Sequence, residues 1–141
     1  MTRRPHEIAA TGPAAEFAAR LQSALPVLET ERLTLRAPRI EDFEAYAAIG
    51  ESDRGRYLVA DNSDRDALWL DFAQMVACWL LRGHGVWTVE TRAYAKAIGF
   101  VLLGFEPGDH EPELGYLFLP EAEGQGYAQE ATRAARAYAF D

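Results

Sequence analysis

Hydrophobic residues recur every three or four positions in several parts of the chain, and this spacing predicts helices. Leu68, Phe72, Met75 and Trp79 form one such apolar face, and Gly83 follows where that helix is expected to end. The same reasoning predicts further helices over residues 12–25, 40–50 and 127–140.

Short apolar or alternating stretches predict strands. Four are expected, at Leu33–Arg36, Val86–Glu90, Ala97–Phe105 and Pro112–Leu119, with a hairpin turn over residues 91–96. The polar segment from Glu51 to Asn62 is expected to be a loop, and Ser63 with Asp66 is a capping-box signature for the next helix. After the N-terminal helix the order is β-α-α-β-β-β-α, which indicates an α/β layer arrangement and excludes a doubly wound sheet.

The length, composition and net charge of the chain argue against some classes of function. The 141 residues suit one domain, and 49% hydrophobic with 26% charged residues is typical of a folded globular chain. The 22 acidic and 14 basic residues give a net charge of −8, which argues against binding to nucleic acid or to an anionic membrane. The longest apolar run, Ala97–Phe105, is too short to span a membrane as a helix.

Cysteine and histidine usage gives no sign of a metal site. Cys78 is the only cysteine, so neither an internal disulfide nor a thiolate cluster can form, and a reducing, cytoplasmic setting is expected. We interpret Cys78 as a packed core residue because no histidine is in register with it on the helix. His84 and His110 are expected to be surface residues.

The segment 113–131 carries the most specific chemical signal. A strand runs into a loop containing Gly124 and Gly126, and the loop opens directly into a helix. Such a helix N-terminus presents unpaired amides to an anion, and glycines allow the backbone to approach it. Gln129 stands where a dinucleotide fingerprint needs glycine, and no P-loop lysine follows. The glycine pair alone fits both a phosphate-binding loop and a plain strand–helix turn.

Three stretches together resemble the GNAT superfamily of acyl-coenzyme A N-acetyltransferases, in its ribosomal-protein N-terminal acetyltransferase (RimJ/RimL-like) branch. Leu28–Pro38 with Glu41–Phe43 resembles the opening strand and helix, Ile98–Val101 the third strand, and Glu113–Ala131 the fourth strand, pyrophosphate loop and helix. The resemblance implies a mixed, mostly antiparallel sheet flanked by helices. It divides the chain into a helical extension, residues 1–27, and a transferase domain, residues 28–141.

The resemblance also implies acetyl-CoA as the cofactor. The backbone amides of Gly124, Gln125, Gly126, Tyr127 and Ala128 are then expected to hold the pyrophosphate, and the strand end Leu117–Leu119, which includes Phe118, to pair with the pantetheine arm. Glu121 and Glu123 stand where the family has other residue types, and two carboxylates beside a pyrophosphate are unfavourable unless their side chains point to solvent.

An amine must lose a proton before it can attack a thioester. An α-amine is roughly a tenth neutral at pH 7 and a lysine amine well under a thousandth, so a protein N-terminus or a small low-pKa amine is the easier acceptor. Glu113 is the first candidate for the base, directly or through water, because the family places it where the proton is collected. A solvated strand-end glutamate is an equal alternative. His110 is a second candidate, and a backbone N–H near Leu117 is the candidate oxyanion donor. Tyr57 and Trp87 are candidates for an acceptor cleft or for the core.

In the family, two more strands and a helix follow the last helix of this chain. The expectation is therefore a chain that stops roughly 30–40 residues short of them, without an assignable general acid. Transfer of an acetyl group to a primary amine by direct attack is the first hypothesis. The alternatives are a catalytically weak CoA-binding or interaction module that pairs as a homodimer through its open sheet edge, and an unrelated phosphate-binding domain.

Overall fold

The computed structural model describes residues 3–53, 55 and 64–140, which form an antiparallel sheet with helices on both faces. The helices are α1 (Gly12–Ser23), α2 (Phe43–Glu51), α3 (Arg65–Arg82) and α4 (Tyr127–Phe140). The strands are β1 (Leu28–Glu29), β2 (Leu33–Arg36), β3 (Val86–Thr91), β4 (Ala97–Gly104) and β5 (Glu113–Phe118). The predicted fold class is confirmed.

The five strands follow one another across the sheet in chain order, and every pair is antiparallel. Because side chains alternate along a strand, one face carries Phe100 and Leu117 and the other carries Trp87 and Phe118. Phe100 packs against Tyr46 of α2 and Phe72 of α3, so these two helices cover the first face. The helix α4 covers the second face, where Tyr138 packs edge-on against Trp87.

A buried ion network fixes β2 to the turn before α2. Both terminal nitrogens of Arg36 donate to the Asp42 carboxylate at 2.9 Å, and its Nε donates to Glu90 at 2.8 Å. Burial disfavours the charge on Arg36, but these two carboxylates outweigh it and raise the pKa of the guanidinium. Thr88 also donates to Asp42 at 2.8 Å, which joins β3 to the same network.

The helix α3 has clear end signals, and one of them was placed wrongly from the sequence. Its N-cap is Asp64, whose carboxylate accepts from the amides of Asp66 and Ala67. The predicted capping box assigned this role to Ser63, which lies outside the described residues. Gly83 ends the helix as predicted, in the left-handed conformation with φ of 79°.

Other boundaries shift by a residue or two. The helix α2 continues through Gly50 to Glu51, and β4 and β5 are slightly shorter than the apolar runs that predict them. The two-residue strand β1 has no hydrophobic alternation to signal it, and it forms by pairing with β2. Most of the predicted loop over 51–62 lies outside the described residues.

The N-terminal segment docks through charges more than through its helix. No residue of α1 is buried, but Glu7 is nearly fully buried and its carboxylate accepts hydrogen bonds from Nε and Nη2 of Arg65 at the start of α3. Arg65 also lies within 3.3 Å of Glu44 on α2. This places residues 3–7 against the first turns of α2 and α3. Within the described residues, no helix is long and apolar enough to cross a membrane.

Candidate functional site

A cleft of about 980 Å³ opens beside the end of β5. We call it the main cleft. Its walls are the last residues of β5, the following loop, the first two turns of α4, Ile49 in α2 and Asp53 just after that helix. Six of the nine predicted site residues line it: Leu117, Phe118, Gly124, Gly126, Tyr127 and Ala128. A cleft of this size is within the usual range for a cofactor-sized ligand.

The first turn of α4 presents free amides to the main cleft. The first α-helical hydrogen bond of this turn runs from the Glu130 amide to the Gly126 carbonyl, so the amides of Tyr127, Ala128 and Gln129 have no acceptor within the helix. Gly124 and Gly126 have φ of +78° and +81°, a conformation that favours glycine. Gln129, which no sequence pattern marks as a site residue, also lines the cleft. The arrangement favours an anion.

Leu119 and Gln125 lie near the main cleft but do not line it. The Leu119 amide donates to the Ile98 carbonyl, which extends the pairing of β4 with β5. The Gln125 side chain donates to the Glu121 carbonyl at 3.3 Å. Both loop glutamates are exposed, but only Glu123 of the two lines the cleft.

The outer edge of β5 is free along the described part of the chain, where no strand pairs with it. Since the Leu119 amide points to β4, the antiparallel alternation points the amide of Leu117 to β4 as well. The backbone groups of Tyr116 and Phe118 therefore face the free edge. A strand-like ligand at this edge would meet the backbone groups of Tyr116 and Phe118, whereas the Leu117 amide, near which the oxyanion donor is expected, points to β4.

A second, smaller cleft of about 210 Å³ lies on the sheet face that carries α2 and α3. We call it the small cleft. Asp71 and Glu106 bring two carboxylates to it, and its other walls include the apolar Met75, Phe100 and Leu102. Tyr116 and Leu117 line both clefts, so the two meet at β5.

Hydrogen bonds hold both carboxylates of the small cleft. The Tyr46 hydroxyl donates to Asp71, and the Gln74 amide donates to Glu106 at 3.3 Å. Burial together with the Asp71 carboxylate raises the pKa of Tyr46, so its hydroxyl keeps its proton and remains a donor. The cleft therefore combines negative charge with an apolar floor.

Glu113 lies at the start of β5, exposed to solvent and outside both clefts. It shares a face with Gly115 and Leu117, as the alternation predicts. Leu117 lies four positions further along the strand, about 13 Å away. His110 is likewise exposed and outside both clefts.

Cys78 is buried, as predicted, but the prediction that His84 is a surface residue is wrong, since this histidine reaches Cys78 from outside the helix. His84 is half-buried, and its Nδ1 lies 3.8 Å from the Cys78 Sγ. Since the same Nδ1 lies 2.6 Å from the Leu103 carbonyl, it donates its proton there and cannot accept one from the thiol. Trp87 is fully buried in the core, and Tyr57 lies outside the described residues. Within the described part of the chain, no cluster of His, Cys, Asp or Glu could hold a metal ion.

An arginine that the sequence did not single out connects the sheet to the loop before α4. Arg32, in the turn between β1 and β2, donates from Nε to Glu130 at 2.7 Å and from Nη1 to the Gln125 carbonyl at 2.9 Å. Its guanidinium also lies over the Tyr127 ring, 4.4 Å from the centroid. Thr30 donates a further hydrogen bond to Glu130. Burial opposes the charge on Glu130, but the bonds from Thr30 and Arg32 lower its pKa.

Comparison with known proteins gives a consistent family. A family model described as an acetyltransferase (GNAT) domain matches residues 32–141. The chain is 29% identical over 118 residues to the uncharacterized N-acetyltransferase YoaA of Bacillus subtilis, covering 82% of this chain and 67% of that protein.

Solved structures agree. An acetyltransferase from Agrobacterium tumefaciens strain C58 is 37% identical with a TM-score of 0.75, over 83% of this chain and 68% of that one. The microcin C7 self-immunity acetyltransferase MccE, solved with acetyl-CoA and AMP, is 13% identical with a TM-score of 0.59, over 79% of this chain and 64% of that one. The latter is a likeness of fold alone. The chain spans about two thirds of the length of these proteins.

Proposed function

The chain belongs to the GNAT acetyltransferase family, and from that premise we propose that it transfers an acetyl group from acetyl-CoA to a primary amine by direct attack. One observation carries the proposal. The main cleft joins a glycine-flanked helix N-terminus to a free strand edge, so a single ligand with a phosphate group and an extended arm fits both.

The residues of the main cleft suit coenzyme A in two ways. The free amides of Tyr127, Ala128 and Gln129, with the backbone at Gly124 and Gly126, would hold the pyrophosphate. The edge groups of Tyr116 and Phe118 would pair with the pantetheine arm, as in strand addition. When bound, acetyl-CoA supplies the acetyl group as a thioester.

The free edge of β5 would also stabilise the negative charge that develops on the thioester oxygen during the reaction. The free amide of Phe118 or Tyr116 would donate to the thioester oxygen and stabilise negative charge there, since both amides face away from β4. Loss of one such donor typically lowers the rate by about 10²–10³-fold.

The small cleft is the proposed entrance of the amine. Its carboxylates, Asp71 and Glu106, attract a cationic amine, and the cleft meets the main one at Tyr116 and Leu117. A small amine or a protein N-terminus would fit, and the sequence stretches described above favour the ribosomal-protein N-terminal acetyltransferase branch. Glu113 stays the proposed proton acceptor, and it would act through a chain of waters because its carboxylate lies outside both clefts.

Cofactor binding is tested by the thermal stability of the protein with CoA. At 100 times the dissociation constant, CoA should stabilise the fold by about 2.7 kcal/mol. An unchanged melting temperature at millimolar CoA contradicts the proposal. Turnover is tested by thiol release from acetyl-CoA with a panel of small amines and peptides. CoA binding without thiol release for any amine would support a binding module instead.

The acceptor side and the base have separate tests. Glu106→Gln should raise KM for the amine and leave the dissociation constant of CoA unchanged, whereas Glu111→Gln, an exposed residue outside both clefts, should change neither. Glu113→Gln should lower kcat by about 10²-fold or more and remove its pH dependence on the acidic side. An unchanged pH–rate profile would remove Glu113 from the mechanism.

A further inference from the structure

We propose that Arg32 and Glu130 are positioning residues that hold the loop before α4 in the conformation that binds phosphate. The inference rests on the proposed binding of CoA in the main cleft. It concerns residues 123–127, whose backbone provides most of the phosphate-facing wall of that cleft.

Arg32 is itself fixed by the sheet. Its amide donates to Glu130 at 2.9 Å, and its carbonyl accepts from the Arg92 amide at 2.9 Å, at the end of β3. The neighbouring Thr30 pairs with Leu33 across the turn through its amide, at 2.9 Å. The backbone from which the Arg32 side chain extends is therefore held in place by hydrogen bonds.

Glu130 connects the first turn of α4 to the turn between β1 and β2. Its carboxylate accepts three hydrogen bonds, from the Thr30 hydroxyl, the Arg32 amide and the Arg32 Nε. Two of these donors, the Thr30 hydroxyl and the Arg32 amide, are held close to the backbone of the turn between β1 and β2. The helix α4 therefore cannot slide along this turn without breaking both hydrogen bonds. The three bonds favour the charged form of the carboxylate.

The other side of the guanidinium holds three consecutive residues. Nη1 binds the Gln125 carbonyl, Nη2 lies 3.4 Å from the position that a Cβ on Gly126 would occupy, and the plane covers the Tyr127 ring. Because the carbonyl and the next amide of a trans peptide point in opposite directions, the bond to Gln125 turns the Gly126 amide away from Arg32. Gly126 lines the main cleft, and Arg32 does not.

The ion pair between Arg32 and Glu130 also reduces the repulsion between the Glu130 carboxylate and a bound phosphate. Glu130 lies in the helix turn that faces the anion, in a chain of net charge −8 with Glu123 already at the cleft. The Arg32 guanidinium at 2.7 Å compensates the carboxylate, so Glu130 anchors the loop with little repulsion toward a phosphate.

The test uses a substitution for which the charge effect and the positioning effect predict opposite changes in CoA affinity. Glu130→Ala removes a negative charge near a binding site for an anion, and Coulomb's law alone predicts tighter CoA binding. The positioning role predicts the reverse, a dissociation constant of CoA raised about tenfold by loss of the anchor. Glu121→Ala, the matched control on the exposed side of the loop, should leave the constant unchanged or lower it.

Arginine variants complete the test. Arg32→Ala should raise KM for acetyl-CoA about tenfold or more while KM for the amine stays unchanged. Arg92→Ala makes the same charge change on a neighbour that binds the Thr30 carbonyl instead of the loop, and should have little effect. If Arg32→Ala fails to fold, Arg32→Lys, which keeps the charge but cannot bind Glu130 and Gln125 as a fork, should still raise KM for acetyl-CoA above that of the wild type.

Each result points one way. Wild-type protein that binds no CoA overturns the proposed function. Wild-type protein that binds CoA, with Glu130→Ala binding it as well or better, overturns the positioning role alone. Equal losses in Arg32→Ala and Arg92→Ala also overturn it, since general electrostatics then explains the effect.

Discussion

The contact between β4 and β5 is closest at Gly99, and it gives a sharp prediction. Gly99 pairs directly with Phe118, at the edge that forms the main cleft. A Cβ at Gly99 would lie 2.5 Å from the Phe118 Cδ1 and 2.6 Å from the Leu117 carbonyl oxygen. The ring can rotate to some extent, but the carbonyl oxygen belongs to the strand, so Gly99→Ala must move β5 itself.

The size of the effect follows from these distances. Ordinary carbon contacts begin near 3.4 Å, so the strands must separate by nearly 1 Å at this point. Overpacking of this kind destabilises a fold by about 1–3 kcal/mol. For a chain of this length, 1 kcal/mol corresponds to about 3 °C, so the melting temperature should fall by about 3–9 °C. Because Phe118 and the glycine loop follow the strand, CoA binding should weaken severalfold.

The measurements are thermal unfolding and calorimetric titration with CoA, and Gly115→Ala is the matched control. Gly115 lies on β5, where a Cβ would meet no atom within 4 Å. The same substitution there should keep the melting temperature or raise it slightly, by loss of unfolded-state entropy. A Gly99→Ala protein as stable as Gly115→Ala, with unchanged CoA affinity, would refute the packing argument.

Three further predictions concern the loop, the N-terminus and the free edge. Gly126→Ala should lower the melting temperature by about 3–6 °C, because alanine at φ of +81° costs about 1–2 kcal/mol, and should weaken CoA binding. Arg65 donates to Glu7 and lowers its pKa, so the ion pair stabilises the fold above the ordinary carboxyl pKa and is lost as pH falls through the lowered one. Urea unfolding should therefore show Glu7→Gln less stable than wild type at pH 7, with the difference shrinking below about pH 4. CoA and a second copy of the chain would compete for the free edge of β5. Light scattering with saturating CoA should therefore give the monomer mass of 15.7 kDa. A dimer mass would show that the dimer forms through a different surface from the one that binds CoA.

The sequence predicted the elements whose signals are local. The α3 stripe of Leu68, Phe72 and Met75 is buried as predicted, and Gly83 ends the helix. The helix α4 has its predicted bounds, Tyr127–Phe140. Each of these depends on spacing or on a terminator within a few residues.

The missed features depend on contacts between distant parts of the chain. Arg32 and Glu130 are 98 positions apart, and neither has a neighbour that marks it as part of the loop support. The strand β1 exists because β2 offers it a partner, and His84 reaches Cys78 only because the chain turns back at Gly83. The small cleft likewise needs Asp71 of α3 and Glu106 after β4 to be brought together by the fold.

The order of strands in the sheet has a consequence for how the chain folds. The strands β3, β4 and β5 are joined by short connections, whereas about fifty residues separate the end of β2 from β3. Closing that longer loop costs roughly 2 kcal/mol more entropy than closing a hairpin. The three-stranded meander should therefore form early, with β2 and the buried Arg36 network joining it late. Pulse-labelled hydrogen exchange should show amides of β4 protected before those of β2, and simultaneous protection would contradict this order.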